Sequence, residues 1–323
     1  MAEPRVLLIT SPQTDAHAAP GHPERPDRRA AVAAGVRDGA TDAGALLEER
    51  DARPATLDEL TRIHPASLLE ALDAAAARGG GWIDADTYLA PGSADALRLA
   101  AGATIDAALA AAGGTTVAFA VARPPGHHAG VAAPSGFCLV NNVALAAAAL
   151  RATGHAQRIG IVDWDVHHGD GTQVIFDADP DVCYASTHQS PLFPGTGAAT
   201  ERGIGPAAGT KHNAPLAPGS GDADFVAAWR ERLLPALEAF APDAILVSAG
   251  YDAHVADPLA DLRVTEEGYR EVARLLGGVA ARRGLAGVAL TLEGGYDLEA
   301  IQASAAATVR GLLEGLADRH APR

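Results

Sequence analysis

Short apolar runs separated by longer helical stretches set the strongest constraint on how this chain folds. The runs lie at residues 5–10, 115–122, 158–163, 182–187, 244–249 and 286–292 and are rich in Val, Ile, Leu and Ala. Between them stand helix-forming stretches at 65–78, 93–112, 142–152, 222–240, 265–282 and 298–316. Near-continuous apolar strands alternating with helices must be covered on both faces. The pattern therefore predicts an α/β fold, with three α/β/α layers around a mostly parallel central sheet. Alanine-rich segments such as 144–150 favour helix on propensity alone. No low-complexity linker or internal repeat divides the 323 residues, so one domain over 1–323 is the simplest reading.

The polar motifs fall where those apolar runs end. Arg123-Pro124-Pro125-Gly126-His127-His128 follows one run, and Asp163-Trp164-Asp165-Val166-His167-His168-Gly169-Asp170 follows another. Ser186-Thr187-His188, Gly250-Tyr251-Asp252 and Glu293-Gly294-Gly295-Tyr296 close three more. Ligands of open parallel sheets bind beyond the carboxyl ends of the strands. Motifs at five strand ends converge on one such place.

The stretch from Asp163 to Asp170 carries most chemistry per residue. Side chains two apart on an extended chain share a side, which groups Asp163, Asp165 and His167 and sends His168 elsewhere. Like charges so crowded call for a cation. A catalytic zinc takes three His or carboxylate ligands and leaves a position open. Asp165 and His167 supply two, and Asp252 is the obvious third. A purely structural role, in which Asp165 and His167 cap a turn, leaves Asp163 and Asp170 without a purpose. The His127-His128 pair stands on a rigid Pro-Pro-Gly turn, suited to a general base and a proton donor. Each imidazole needs a partner to fix its tautomer, and Asp163 and Asp170 are the spare carboxylates. Tyr296, on two glycines, is placed to point a hydroxyl at a developing oxyanion. Gly136-Phe137 and Phe193, in glycine-rich loops, read as walls of a narrow apolar channel.

Bulk properties exclude other classes. The formal net charge is −15, and Lys and Arg form no cluster, which argues against direct nucleic-acid binding. An acidic body suits cationic substrates. Cys138 and Cys183 are far apart without CxxC spacing, so two buried thiols are expected and no disulfide or cysteine–zinc site. The absence of a long apolar segment or leader pattern predicts a soluble, cytoplasmic chain without membrane contact. Oligomeric state is left open.

These motifs, in this order, resemble the zinc-dependent histone deacetylase family of the arginase/deacetylase superfamily. The resemblance spans about Gly21 to Asp297. It includes Gly21-His22-Pro23-Glu24-Arg25-Pro26, the Arg123–His128 segment, Gly136-Phe137-Cys138 with Asn141-Asn142, and Asp163 through Gly171. It continues through Phe193-Pro-Gly-Thr-Gly197, Ser248 through Asp252 and Leu292 through Tyr296. The His-Pro-Glu-Arg-Pro segment and Leu292-Glu293-Gly-Gly-Tyr296 look like the class II and bacterial branch of histone deacetylase-like amidohydrolases. The resemblance implies zinc on Asp165, His167 and Asp252, with His127 and His128 as base and acid backed by Asp163 and Asp170. It implies Tyr296 on the amide carbonyl and Phe137 and Phe193 walling an acyl-lysine channel. It also implies a structural potassium or sodium ion, with Asp163 and Ser186 side chains and backbone oxygens of Asp165, His167 and Thr187 as ligands. A second, peripheral cation site is implied near Phe176.

The reaction so implied removes an acetyl or acyl group from an acylated amine. Leu259 after Asp257-Pro258 is the apolar choice of lysine-directed relatives, which favours acyl-lysine in proteins or peptides. Asp86 near the rim and the acidic body point instead to acetylpolyamine, and a small-metabolite amide is a further substrate class. A two-manganese ureohydrolase needs a second Asp-rich bridge, for which His254 is the sole hint. A non-catalytic small-molecule sensor would have lost catalytic positions, and all are occupied. His17, His64, His155 and His320 read as surface or local hydrogen-bonding residues, and His22 and Glu24 as part of a pocket rim.

Overall fold

The computed structural model describes residues 3–317. Its strands are β1 (Arg5–Thr10), β2 (Leu46–Asp51), β3 (Gly81–Trp82), β4 (Tyr88–Leu89), β5 (Val117–Val121), β6 (Ile159–Asp163), β7 (Val182–Gln189), β8 (Lys211–Leu216), β9 (Ala244–Ala249) and β10 (Val288–Leu292). Its helices are α1 (Asp27–Asp42), α2 (Leu57–Thr61), α3 (Ala66–Ala77), α4 (Ser93–Ala112), α5 (Asn142–Ala152), α6 (Asp170–Phe176), α7 (Asp222–Ala228), α8 (Leu234–Phe240), α9 (Glu266–Arg282) and α10 (Leu298–Ala317).

Parallel pairing orders the main sheet β2-β1-β5-β10-β9-β6-β7-β8, with β3 and β4 forming a separate antiparallel pair. The strands at its centre, such as VAFAV and VALTL, are buried along their whole length. Alternation along β1 shows why both faces must be covered. Val6 and Leu8 enter one apolar cluster, with α1, α9 and α10 residues such as Val36, Leu276 and Val309. Leu7 and Ile9 enter the other, with α4 and α5 residues such as Ala103 and Ala147. Burying a side chain of that size contributes about 2 kcal/mol. The three-layer arrangement read from the sequence is the one observed.

Several elements depart from that reading. The stretch 222–240 is not one helix: a π-turn at Trp229–Leu233 separates α7 from α8. Pro235 follows directly, and its missing N–H cannot complete an α-helical ladder to residue 231. Strands β2 and β8, both at sheet edges, were not expected. β2 (LLEERD) is half-exposed and charged, and β8 (KHNAPL) carries a proline, both tolerated where one side is unpaired. Helix α1 was also missed, because its sequence DRRAAVAAGVRDGATD mixes glycines and charges.

Parallel strands share one direction, so the segments following β5, β6, β7, β9 and β10 emerge on one edge of the sheet. Lateral register brings them together: Asp163 lies beside Ser186 on one side and Ser248 on the other.

Candidate active site

At that edge, Asp165, His167 and Asp252 each present a ligand atom, and these atoms lie within 4.8 Å of one another. Backbone amides aim the carboxylates. His167 N donates to Asp165 Oδ1 (2.9 Å), Gly294 N to Asp165 Oδ2 (2.7 Å) and Val166 N to Asp252 Oδ1 (2.8 Å). His167 Nδ1 stands 3.2 Å from both Asp165 Oδ1 and Asp252 Oδ2. Burial opposes a charge on His167, yet the two carboxylates hold its pKa up to about 10. The pair thus attracts positive charge strongly. Asp252 Oδ2 is buried and, apart from the His167 Nδ1 that it shares with Asp165, has no donor. A buried carboxylate oxygen without a donor of its own is costly unless a cation meets it. The donor set of two carboxylates and one imidazole suits zinc. No other such cluster occurs among the described residues. His254 turns away and lies 3.4 Å from Glu266 Oε2.

Two histidines flank the cluster, each with its own carboxylate. His127 Nδ1 is 3.1 Å from Asp163 Oδ2, and His128 Nδ1 is 2.7 Å from Asp170 Oδ1. Both imidazoles are buried, with ring centroids 4.1 Å apart. Their environments pull them in opposite directions. For His127, burial disfavours the charge, but Asp165 and Asp163 overcome it and push the pKa well above the usual value. For His128, burial and then the neighbouring His127 lower the pKa to about 3. Asp163 also accepts from Tyr184 Oη (3.0 Å) and from Asp165 N (3.2 Å). His168 points elsewhere, as expected, toward Thr196 Oγ1 and Gln173 Oε1.

Above the cluster is a pocket of about 120 Å³. Gly136, Phe137, Phe193, Leu259 and Tyr296 line it with His127, His128, His167 and Asp86. That is small beside a drug-sized ligand site of roughly 300–1,000 Å³, and fits a slender chain. Phe137 stands at φ 70, a left-handed conformation that a bulky residue rarely adopts. Gly136 before it has φ 53, and a Cβ there would come within 2.5 Å of the His128 ring. Close packing of this loop on His128 therefore requires glycine.

Tyr296 is buried among positioning groups that the sequence reading did not single out. Asp257 Oδ2 accepts from Tyr296 N (2.7 Å) and Asp257 Oδ1 from Leu259 N (3.0 Å), so one carboxyl pins the tyrosine and a pocket wall. Arg28 donates to the carbonyls of Gly295 and Glu293 and lies 4.8 Å over the Tyr296 ring. Arg28 and Arg123 share the buried Glu24 carboxylate, which they hold down to about pKa 2 against burial. Glu293 Oε2 accepts from Gly126 N (2.7 Å) and His127 N (3.2 Å), while Oε1 accepts from Ser248 Oγ (3.1 Å). Glu24 and Glu293 lay within quoted motifs, but nothing local revealed partners that are distant in sequence.

The residues named for a monovalent cation are adjacent, on β6, β7 and the loop after β6. Ser186 Oγ lies 2.9 Å from His188 Nδ1, and Thr187 Oγ1 accepts from Trp229 Nε1 (3.1 Å). Other histidines need correction. His17 and His64 are buried, not on the surface: His17 Nδ1 is 2.6 Å from Ser93 Oγ, and His64 bridges Val131 O and Asn141 N. His155 is exposed and bonds locally to Thr153, while His320 lies outside the described residues. His22 packs edge-on against Phe137 at 4.6 Å, but Glu24 lies in the buried ion cluster and not at the rim. Both cysteines are buried free thiols.

Residues 22–312 match the histone deacetylase domain, and the chain belongs to that family. It is 42% identical to histone deacetylase 15 of Arabidopsis thaliana over 297 residues, covering 90% of this chain and 53% of that protein. The chain thus spans about half the length of that relative. It is 40% identical to a "probable deacetylase" of Methanothermobacter thermautotrophicus, covering 95% of this chain and 90% of that one. The crystal structure of the HDA15 HD domain superposes with a TM-score of 0.89 at 39% identity, covering 97% of this chain and 90% of that chain.

Proposed function

We propose that this chain is a zinc-dependent amidohydrolase that removes acyl groups from acyl-lysine in proteins or peptides. The observation that carries the reading is the floor of the pocket: two carboxylates and an imidazole converge there beside two histidines with separate carboxylate partners. Asp165, His167 and Asp252 would hold the zinc, which when bound polarises a carbonyl and acidifies a water.

The chain's own groups do the rest. Phe137, Phe193 and Leu259 take the alkyl stem and exclude water. Tyr296 donates its hydroxyl to the amide oxygen as charge develops on it; burial and the nearby carboxylates keep that phenol protonated. Asp163 and Asp170 fix the Nδ1 side of His127 and His128, leaving each Nε2 for proton transfer. One imidazole takes the proton of the attacking water, and one delivers a proton to the leaving amine. Carboxylate and free amine result. A potassium or sodium ion behind the site, on Asp163, Ser186 and backbone oxygens of Asp165, His167 and Thr187, would balance the crowded carboxylates. On this reading the chain acts as one catalytic domain in the cytoplasm.

Asp86 supports a second substrate reading. Its place in the pocket lining favours a substrate with a further cationic amine, such as an acetylpolyamine. The test compares kcat/KM for an acetyl-lysine peptide and N-acetylated polyamines with zinc-loaded protein, using a hydroxamate control. Preference for the peptide supports acyl-lysine, and preference for the polyamine transfers the assignment to Asp86. Turnover of neither, with no hydroxamate binding, refutes the amidohydrolase reading.

A further inference from the structure

Lys211 is fully buried on edge strand β8, away from the pocket. Its Nζ donates to Val182 O (2.7 Å), Thr210 Oγ1 (2.7 Å) and Asp179 O (3.2 Å). The threonine hydroxyl gives its own proton to Ala207 O (2.8 Å), so it meets Nζ with lone pairs. Three oxygen acceptors need three N–H donors. An ammonium has three and a neutral amine two, so the geometry requires the charged form. None of the three acceptors is a carboxylate. The Asp179 carboxylate, on the residue that supplies one of these carbonyls, is committed to Arg151 at 2.6 and 3.1 Å and to Asp181 N.

A buried charge is costly unless polar groups replace its hydration. Here neutral oxygens do so, in the manner that rings of carbonyls replace the hydration shell of a monovalent cation. Burial lowers the Lys211 pKa to about 8, which leaves the amine protonated at neutral pH. The contacts join three pieces of chain: the connection from α6 to β7, the start of β7, and β8 with the turn before it.

We propose that the Lys211 ammonium is a tethered substitute for a free monovalent cation, filling from within a site of the kind that takes potassium or an alkylammonium. Removing the side chain beyond Cβ opens that site to an ion from solution. The proposal stands independently of the reaction assigned to the pocket.

The test is thermal unfolding of the full chain and of Lys211→Ala and Lys211→Met at constant ionic strength. The salts are choline, potassium and n-propylammonium chloride; propylammonium replaces the atoms that alanine lacks. In choline, Lys211→Ala is expected to lose roughly 5–10 °C. Propylammonium, and to a lesser degree potassium, should restore more than half of that loss. Wild type and Lys211→Met should not respond to propylammonium, because their cavity is filled. Rescue of Lys211→Ala no larger than the Lys211→Met response overturns the proposal, as does a Lys211→Met variant as stable as wild type. If Lys211→Ala does not fold, nitrogen-detected NMR of wild type at pH 7 decides. A slowly exchanging NH3+ signal at Lys211 supports the proposal, and a neutral or freely exchanging amine overturns it.

Discussion

Gly294→Ala tests the candidate metal cluster by crowding alone. A Cβ at residue 294 would stand 2.0 Å from Asp252 Oδ2 and 2.6 Å from Asp165 Oδ2. Real Cβ atoms essentially never come within 3.0 Å of such neighbours, so the Asp252 oxygen must retreat by about 1 Å. Gly294 does not have a left-handed φ, so alanine adds no backbone strain that would confuse the result. Retreat also stretches the bond from Gly294 N to Asp165, so two of three proposed ligands move together. Loss of an orienting partner typically costs 10–100-fold in metal affinity, and direct displacement of a ligand should exceed that. The expected loss is therefore at least about 100-fold, or about 2.7 kcal/mol. Competition of purified protein against a chromogenic chelator measures it. Gly278→Ala is the control, since its Cβ meets nothing closer than the flexible end of Arg282 at 3.3 Å. Zinc binding within threefold of wild type in Gly294→Ala would refute the assignment of Asp165 and Asp252 as ligands.

The other predictions concern the oxyanion residue, the third ligand and acid stability. Tyr296→Phe should lower kcat by about 10²–10³ with zinc content unchanged, whereas Asp252→Ala should lose zinc; metal analysis beside steady-state kinetics separates the two, and near-normal kcat in Tyr296→Phe sinks the oxyanion role. Glu24 and His17 should make the fold acid-sensitive in two stages. His17, lowered to about 4 chiefly by burial, contributes stability that is present above pH 6.5 and lost as pH falls toward 4. Glu24, lowered to about 2, contributes stability present above pH 4.5 and lost as pH falls toward 2. Each is worth about 3 kcal/mol by linkage, so denaturant midpoints that stay level from pH 7 to pH 4 would contradict the buried cluster.

Legibility in the sequence followed locality. Strands β6 and β9 were readable because a strand buried on both faces must be apolar nearly throughout, as IGIVD and AILVSA are. Edge strands escaped because half-exposure permits Glu, Arg, Lys and Pro, the residues that usually mark loops. The same divide runs through the site. Asp165 and His167 sit two apart, and two-residue periodicity made their convergence legible. Asp257 has no such signal, since its bond to Tyr296 N spans 39 residues and depends on two loops meeting. Arg123 and Glu24 are 99 residues apart, so each alone read as a motif residue or a rim residue. His64 was misread because its partners, Val131 O and Asn141 N, are main-chain groups that no side-chain pattern announces.

The Glu293 carboxyl has a consequence for anyone who would redesign this molecule. It leaves β10, takes two amides from the turn after β5 and a hydroxyl from β9, so three neighbouring strand ends close on a single pair of oxygens. The loops around the pocket are therefore not interchangeable parts. A graft that brings in a new Gly-Gly-Tyr segment must bring Ser248 and the Pro125–His127 turn with it. Variation will be tolerated on their outer arcs, as after β5 where Val131 faces solvent, and refused at their roots.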